Sequence, residues 1–382
     1  MKIVIAPQTF KGSLTAAEAT DCISEAVIDI FPNSEILKLP IADGGDGTLE
    51  TLVESGNGEF IQSEISDPLG KSIIAEWGLI GDIAIIEMAR SSGLALLDPD
   101  NLDPMNSTSF GTGELILEAL NRGVKKIILG IGGSATNDCG VGVAKALGIN
   151  FIKTDGSEVS NNVEDFINIK NINMKSINSK IADVDIEVAC DVTNTLCGKE
   201  GASYIYGPQK GASKHQIEVL DKNLMHLSNV IKSDIGKDVL NLVGGGAAGG
   251  MGAGMVAFFS ATLRPGVDII FDTLSVEEKI QGADLIITGE GQFDISSTYN
   301  KAPSAVAKIG MKYNIPCIGV SGSFGEGFEK LDEYGIISKT TLINKISNLE
   351  TNIKDAKHLI KIAVKEQLKA VKIGMNLWDY TM

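Results

Sequence analysis

The two ends of this chain share a rhythm that its middle lacks, and the contrast limits the folds open to it. At the N-terminus "KIVIA" reads as a short buried strand. The segment "LTAAEATDCISEAVIDIFP" follows as a helix, with Ala19, Cys22, Ile23, Ala26, Val27 and Ile30 at helical spacing. Thr15 and Glu18 form a capping box ahead of it, and Pro32 stops it. The strand "EILKLPI" and the helical "TLETLVESG" repeat the unit. Beyond Ala283 the strands "DLIITG", "PCIGVSG" and "TTLIN" alternate with helices at "APSAVAKIGMKY", at "GFEKLDEY" and over residues 352–372. Between these ends, "EFIQSEIS", "SIIAEWGLI" and "DIAIIEMA" follow one another with only "DPLG" and "GD" as connections, which is the pattern of an antiparallel meander.

This arrangement predicts an α/β protein of two domains. One is a doubly wound parallel sheet assembled from both termini, residues 1–70 plus 284–382; the other, residues 71–283, is an inserted α/β domain carrying the meander. A chain of 382 residues exceeds the roughly 250–300 over which one hydrophobic core keeps growing, so two cores are expected on size alone. Ligands of such sheets lie at the carboxyl ends of the strands.

A net charge of -16 disfavours nucleic acid and anionic membrane surfaces as partners. An anionic substrate would then need locally placed lysines or a divalent cation to receive it. The five cysteines include no C-x-x-C pair, which points to buried thiols in a reducing, cytoplasmic compartment rather than to disulfides or zinc. "MKIVIAP" is too short for a signal sequence, and the uncharged run Val239 to Leu263 is too rich in glycine for a membrane span. Its G-x-x-x-G spacings predict close backbone packing instead.

Several turns carry candidate chemistry. After the first strand, Lys11, Gly12 and Ser13 precede a helix, where an ammonium and a hydroxyl can meet an anion. After the second, "ADGGDGT" offers Asp43 and Asp46; Asp43 is the better candidate for orienting a hydroxyl or binding Mg²⁺, and Asp46 for a helix cap. "KKIILGIGGSATNDCGVGVAKALG" reads as strand, glycine turn and helix start, with amides of Gly132, Gly133 and Ser134 as a cradle for phosphate or carboxylate. It also matches G-x-G-x-x-A, but in mid-chain and without an acidic residue at the end of a following strand. Asp191 and Asn194 end the strand "IEVAC", with Lys199 and Lys210 downstream, a grouping suited to phosphoryl transfer. Finally "ITGEGQFD" presents Glu290 and Asp294 on glycine turns, with Lys301 following, as candidates for Mg²⁺ and phosphate.

Taken together these residues resemble the type 1 glycerate kinase family, in eight ordered motifs: "FKGSLTAAEA", "ADGGDGT", "GTGELILEAL", "GIGGSATNDCGVGVAKALG", "CDVTNTLCG", "GPQKGA", "GGGAAGGMGAG" and "TGEGQFD". The resemblance implies a flavodoxin-like domain holding both termini, and ATP-dependent phosphorylation of D-glycerate with Mg²⁺, at the 2-hydroxyl. It leaves monomer and homodimer both open. The chain departs from the family pattern in "DISSTYNK", where Ser296 and Ser297 replace a glutamine-threonine pair and Asn300 replaces a glycine.

The expected mechanism places the substrate in an interdomain cleft. Its carboxylate lies near Lys11, Ser13 and the Gly132–Ser134 amides, with Asp43 and Asn194 as further substrate contacts. Asp191 orients or deprotonates the attacking hydroxyl. ATP meets Lys210, Lys301, Gly289 and Gly291, with Mg²⁺ held through Glu290 and Asp294. Two other readings stand beside it: a nicotinamide-dependent 2-hydroxyacid dehydrogenase, prompted by G-x-G-x-x-A, and a non-catalytic nucleotide or metabolite sensor.

Overall fold

The computed structural model describes residues 1–42, 44, 47–299 and 301–379. Asp43, Asp46 and Asn300, named above as candidates or departures, lie outside the described residues. In chain order the strands are β1 (Lys2–Pro7), β2 (Glu35–Lys38), β3 (Glu59–Ser66), β4 (Ser72–Ile80), β5 (Ile83–Glu87), β6 (Lys126–Gly130), β7 (Asn150–Lys153), β8 (Ile169–Asn173), β9 (Asp185–Ala189), β10 (Thr262–Arg264), β11 (Leu285–Phe293), β12 (Cys317–Phe324) and β13 (Ile336–Thr341). The chain gathers into two compact units, Met1–Asp43, Glu50–Gly56 and Ile270–Met382 forming one, Gly44–Leu49 and Asn57–Ile269 the other.

The first unit holds a five-stranded sheet in the order β2-β1-β11-β12-β13, every neighbouring pair parallel. Numbered within the sheet this is 2-1-3-4-5, the flavodoxin-like order. Residues 3–7 of β1 are buried without alternation because helices cover both faces of the sheet. On one face, Ile3, Ile5, Ile287 and Val320 pack with Ile23 and Val27 of the helix Ala16–Ile30 and with Leu359, Ile360 and Val364 of the helix Ala356–Asp379. On the other, Ile286 meets the helix Ala302–Lys312, where a Cβ at Gly310 would lie 3.0 Å from its Cδ1. The helices Ala16–Ile30 and Ala356–Asp379 are laced at their rim by Lys357–Glu18, Lys361–Glu25 and Lys365–Asp29 pairs, exposed enough for each to add little.

The second unit contains a six-stranded mixed sheet, β10-β9-β6-β5-β4-β3. β3, β4 and β5 form the antiparallel meander, while β5, β6, β9 and β10 run parallel. Trp77 anchors the core beneath the meander, its Nε1 donating to Ser63 Oγ at 3.0 Å. A separate cluster gathers Phe151, Phe166, Leu220, Leu224, Leu227 and Phe258 around the helix Lys214–Asp234. No helix among the described residues is long and apolar enough to cross a membrane.

Several local expectations differ from the observed elements. "GFEKLDEY" is a 3₁₀ segment, Phe328–Tyr334, and the last strand is Ile336–Thr341 rather than "TTLIN". The glycine-rich run does pack backbone to backbone. Its helix, Ala247–Phe259, is kinked at Ala248, Gly249 and Gly250, which adopt left-handed φ, and a Cβ at Gly254 would lie 2.0 Å from the Cys139 carbonyl oxygen.

Candidate active site

In the first unit the strand order reverses direction between β1 and β11, and the candidate residues of this unit collect there. Gln8 N donates to Gly289 O at 2.7 Å, seating the loop after β1 against β11. A Cβ at Gly291 would stand 3.2 Å from Lys11 N, so Lys11, exposed, leaves the loop one residue beyond Glu290. The Lys11–Ser13 turn is tight, with Phe10 N bonded to Leu14 O at 2.9 Å and Gly12 at φ +80°. Ser13 Oγ donates back to Phe10 O at 3.0 Å, closing that turn.

The glycine turns expected around Glu290 are absent: β11 runs straight through "GEGQF". Gly289 is there because a Cβ would fall 2.2 Å from Val320 O on the next strand, so these glycines admit a close neighbour instead of a reversal. Glu290 is therefore a buried strand residue, 6% exposed, with Lys301 Nζ 3.8 Å from its Oε2. Lys301 Nζ also donates to Ser296 Oγ at 2.8 Å, and Ser296 Oγ donates to Asp294 Oδ1 at 2.6 Å. Asp294 caps the 3₁₀ turn Ile295–Thr298 in a reciprocal box with Ser297, and these hydrogen bonds, led by that from Ser296, hold its carboxyl below the usual range. The replacements Ser296 and Ser297 thus supply the polar contacts of this loop. Among the described residues no three His, Cys, Asp or Glu side chains gather as a metal cage. Mg²⁺ commonly needs only one or two carboxylates plus substrate phosphates, and Glu290 beside a lysine fits that demand.

In the second unit the carboxyl ends of β6 and β9 carry the candidates. After β6 the helix does not start at the glycines. Ten residues of loop, 131–140, intervene before the helix Val141–Ala146. The amides at that helix start are answered internally by Asp138, whose Oδ2 accepts from Ser109 N and Oγ at 2.8 Å each and from Gly142 N at 3.1 Å. Its Oδ1 accepts from Gly140 N at 3.2 Å. The anion that the helix N-terminus attracts is this aspartate, so the expected cradle at a helix mouth is not formed. The same loop removes the tight strand-to-helix turn that G-x-G-x-x-A requires for a dinucleotide.

The loop instead projects Gly132 and Gly133, both exposed, and buries everything from Ser134 to Ala144. Leu94 N to Gly133 O at 2.8 Å and Ala135 N to Ser92 O at 2.9 Å fix it from one side. Lys210 fixes it from beneath: 1% exposed, its Nζ donates to Ser134 Oγ at 2.7 Å and to Thr136 O at 2.6 Å. Burial pushes this ammonium down to about 7, against the opposing pull of Asp138. Between about pH 7 and the ordinary lysine range the unfolded chain therefore binds a proton that the folded chain does not, and stability contributed at this site rises with pH. Relative to Lys210→Met, the wild-type melting temperature should gain as pH is raised from 7 to 10; a constant difference would contradict the burial of this charge.

Asp191 emerges from β9 exposed, its Oδ1 accepting from Gly266 N at 3.0 Å after β10. Gly44, φ +93°, comes against it, since a Cβ there would lie 3.3 Å from Asp191 Oδ2 and 3.0 Å from Gly266 Cα. Asn194 is committed to its own loop: Oδ1 accepts from Tyr206 Oη at 2.7 Å and Nδ2 donates to Glu200 O at 2.8 Å. Sequence reasoning missed Glu87, at the end of β5, which accepts from Leu49 N at 3.0 Å and from Arg90 Nε at 2.9 Å. It also missed Asp138, for which an aspartate shortly before an apolar helical run was the available signal.

Ammonium and carboxylate groups lie at the switch point of one unit, and exposed glycine amides and an aspartate at strand ends in the other, groups of the kind an α/β enzyme uses toward small anions. The glycerate kinase family model matches residues 3–372. The chain is 41% identical over 365 residues to a glycerate kinase of Halalkalibacterium halodurans, covering 95% of this chain and 96% of that one. It is 41% identical over 378 residues to glycerate 2-kinase of Escherichia coli strain K12, covering 98% and 99%. The crystal structure of the Salmonella typhimurium LT2 protein given as glycerate kinase 2 superposes with a TM-score of 0.91 at 43% identity, covering 98% of this chain and 99% of that one. The chain belongs to the glycerate kinase family. It is a kinase, and membership implies ATP as co-substrate and a small-molecule acceptor.

Proposed function

We propose that the chain transfers the γ-phosphoryl group of ATP to the 2-hydroxyl of D-glycerate, giving 2-phosphoglycerate and ADP. One observation supports the reading: in each unit the candidate residues lie at the carboxyl ends of parallel strands. The name of the Escherichia coli relative supports the 2-position.

In this mechanism the glycerate carboxylate is held by the Gly132 and Gly133 amides and by Lys11. Asp191 accepts the hydroxyl proton as the oxygen–phosphorus bond forms and the bond to the ADP oxygen breaks. Lys301 faces the phosphates, and Asp294 orients it through Ser296. A Mg²⁺ ion carried with the nucleotide would be held through Glu290 and would neutralise phosphate charge. Positioning and electrostatics suffice for such a transfer, so no cysteine nucleophile is needed.

A coupled ADP-release assay across D-glycerate, L-glycerate and lactate tests the reading, with turnover expected for D-glycerate. NADH formation from added NAD⁺, without ADP release, would return the dehydrogenase. Lys11→Ala should raise the KM for D-glycerate roughly ten- to a hundredfold, the range for a lost charge-assisted contact. An effect confined to the KM for ATP would move Lys11 to the nucleotide.

A further inference from the structure

We infer that Lys210 is a positioning residue for the acid substrate: bonded to the loop at Ser134 and Thr136, its ammonium sets the shape of the adjoining Gly132–Gly133 turn and supplies positive charge close to its exposed amides. The inference rests on the reading of the chain as a D-glycerate kinase and deepens it.

Lys210 reaches the loop from a distant part of the sequence, out of the 3₁₀ turn Pro208–Lys210. Its backbone is fixed at the following residue, Gly211 at φ +90°, where a Cβ would fall 2.8 Å from Leu102 Cβ. The two acceptors of Nζ, Ser134 Oγ and Thr136 O, lie directly after the exposed glycines, on the half of the loop that Asp138 does not hold. Thr136 Oγ1 and Asn137 Oδ1 are buried without a hydrogen-bond partner among the described residues, and Asn137 is tied only through Nδ2, to Ser203 Oγ at 3.0 Å.

A neutral donor could join Ser134 to Thr136 without the cost of desolvating an ammonium. Asp138 is the charged group whose field reaches Lys210, and its oxygens already serve Ser109, Gly140 and Gly142. The cation is therefore buried with no bonded carboxylate among the described residues, held at Ser134 and Thr136 next to two exposed glycines in sequence. Such a charge is attractive to an anion approaching those amides, in a protein whose net charge of -16 otherwise repels it. Because burial brings this ammonium down to about 7, the attraction should weaken as pH rises through neutrality.

The test is steady-state kinetics of wild type, Lys210→Met and Lys210→Arg with D-glycerate and ATP from pH 6 to 9. Alongside it, hydrogen-exchange protection of the amides of residues 131–136 is measured in the same proteins. In the wild type the KM for D-glycerate should climb as pH passes about 7 while that for ATP stays level. In Lys210→Met the KM for D-glycerate should already be raised on the order of tenfold to a hundredfold at pH 6, and show no further dependence. Lys210→Arg, charged throughout, should remove the rise with pH. Equal KM values and pH profiles in wild type and Lys210→Met would overturn the inference. If the wild type releases no ADP with D-glycerate, the kinase reading fails, and the exchange data decide this one separately. Loop protection that falls through neutrality in the wild type alone supports Lys210 as the clamp; the same protection in wild type and Lys210→Met overturns it.

Discussion

Asp191→Asn is expected to lower kcat for D-glycerate by roughly two to four orders of magnitude, the scale of a lost acid–base group, while melting as the wild type does. The fold should be spared because the amide oxygen of asparagine can still accept from Gly266 N, the bond that Asp191 Oδ1 makes at 3.0 Å. The side chain is exposed, so no core packing changes. What disappears is the anionic oxygen able to take the hydroxyl proton. Turnover within a few-fold of wild type would strip Asp191 of this role and move attention to other groups near the end of β9.

Gly249→Ala should be the most damaging of the small substitutions. The residue has φ +70°, and an added Cβ would lie 2.1 Å from Thr136 O, the carbonyl that also receives Lys210. Neither backbone can yield cheaply: Cys139 N is bonded to Gly249 O at 3.0 Å just beyond. Left-handed strain and backbone overlap together should cost at least about 3 kcal/mol. At this size of unit that lowers the melting temperature by roughly 6–12 °C. The KM for D-glycerate should rise with it as the 131–140 loop shifts. Wild-type stability and KM would mean that the glycine-rich helix and the loop are not in the contact described.

Much of this architecture was legible in the sequence, and the exceptions have physical causes. The inner parallel strands of the first unit, β1, β11 and β12, read clearly because burial on both faces makes them continuous apolar runs, as in "KIVIA", whereas the half-exposed edge strand β13 was misplaced. The meander was visible because its connections are too short for helices. Glycine was the main source of error. In "ITGEGQFD" it suggested a turn, but Gly289 serves close strand packing and Glu290 stays in the strand. In "GIGGSATNDCG" it suggested an immediate helix, although Asp138 postpones the helix to Val141. The burial of Lys210 was not legible at all, since nothing in "GPQKGA" distinguishes an interior lysine from a surface one; only the tertiary approach of Ser134 and Thr136 does.

The most direct test of the proposed activity is the identity of its product. Wild-type protein incubated with D-glycerate and ATP should yield a phosphoester whose phosphorus couples to a single carbon-bound proton, the pattern of 2-phosphoglycerate. Coupling to a methylene pair, the pattern of 3-phosphoglycerate, would contradict the assignment of the attacking hydroxyl and with it the placement of Asp191 as its base.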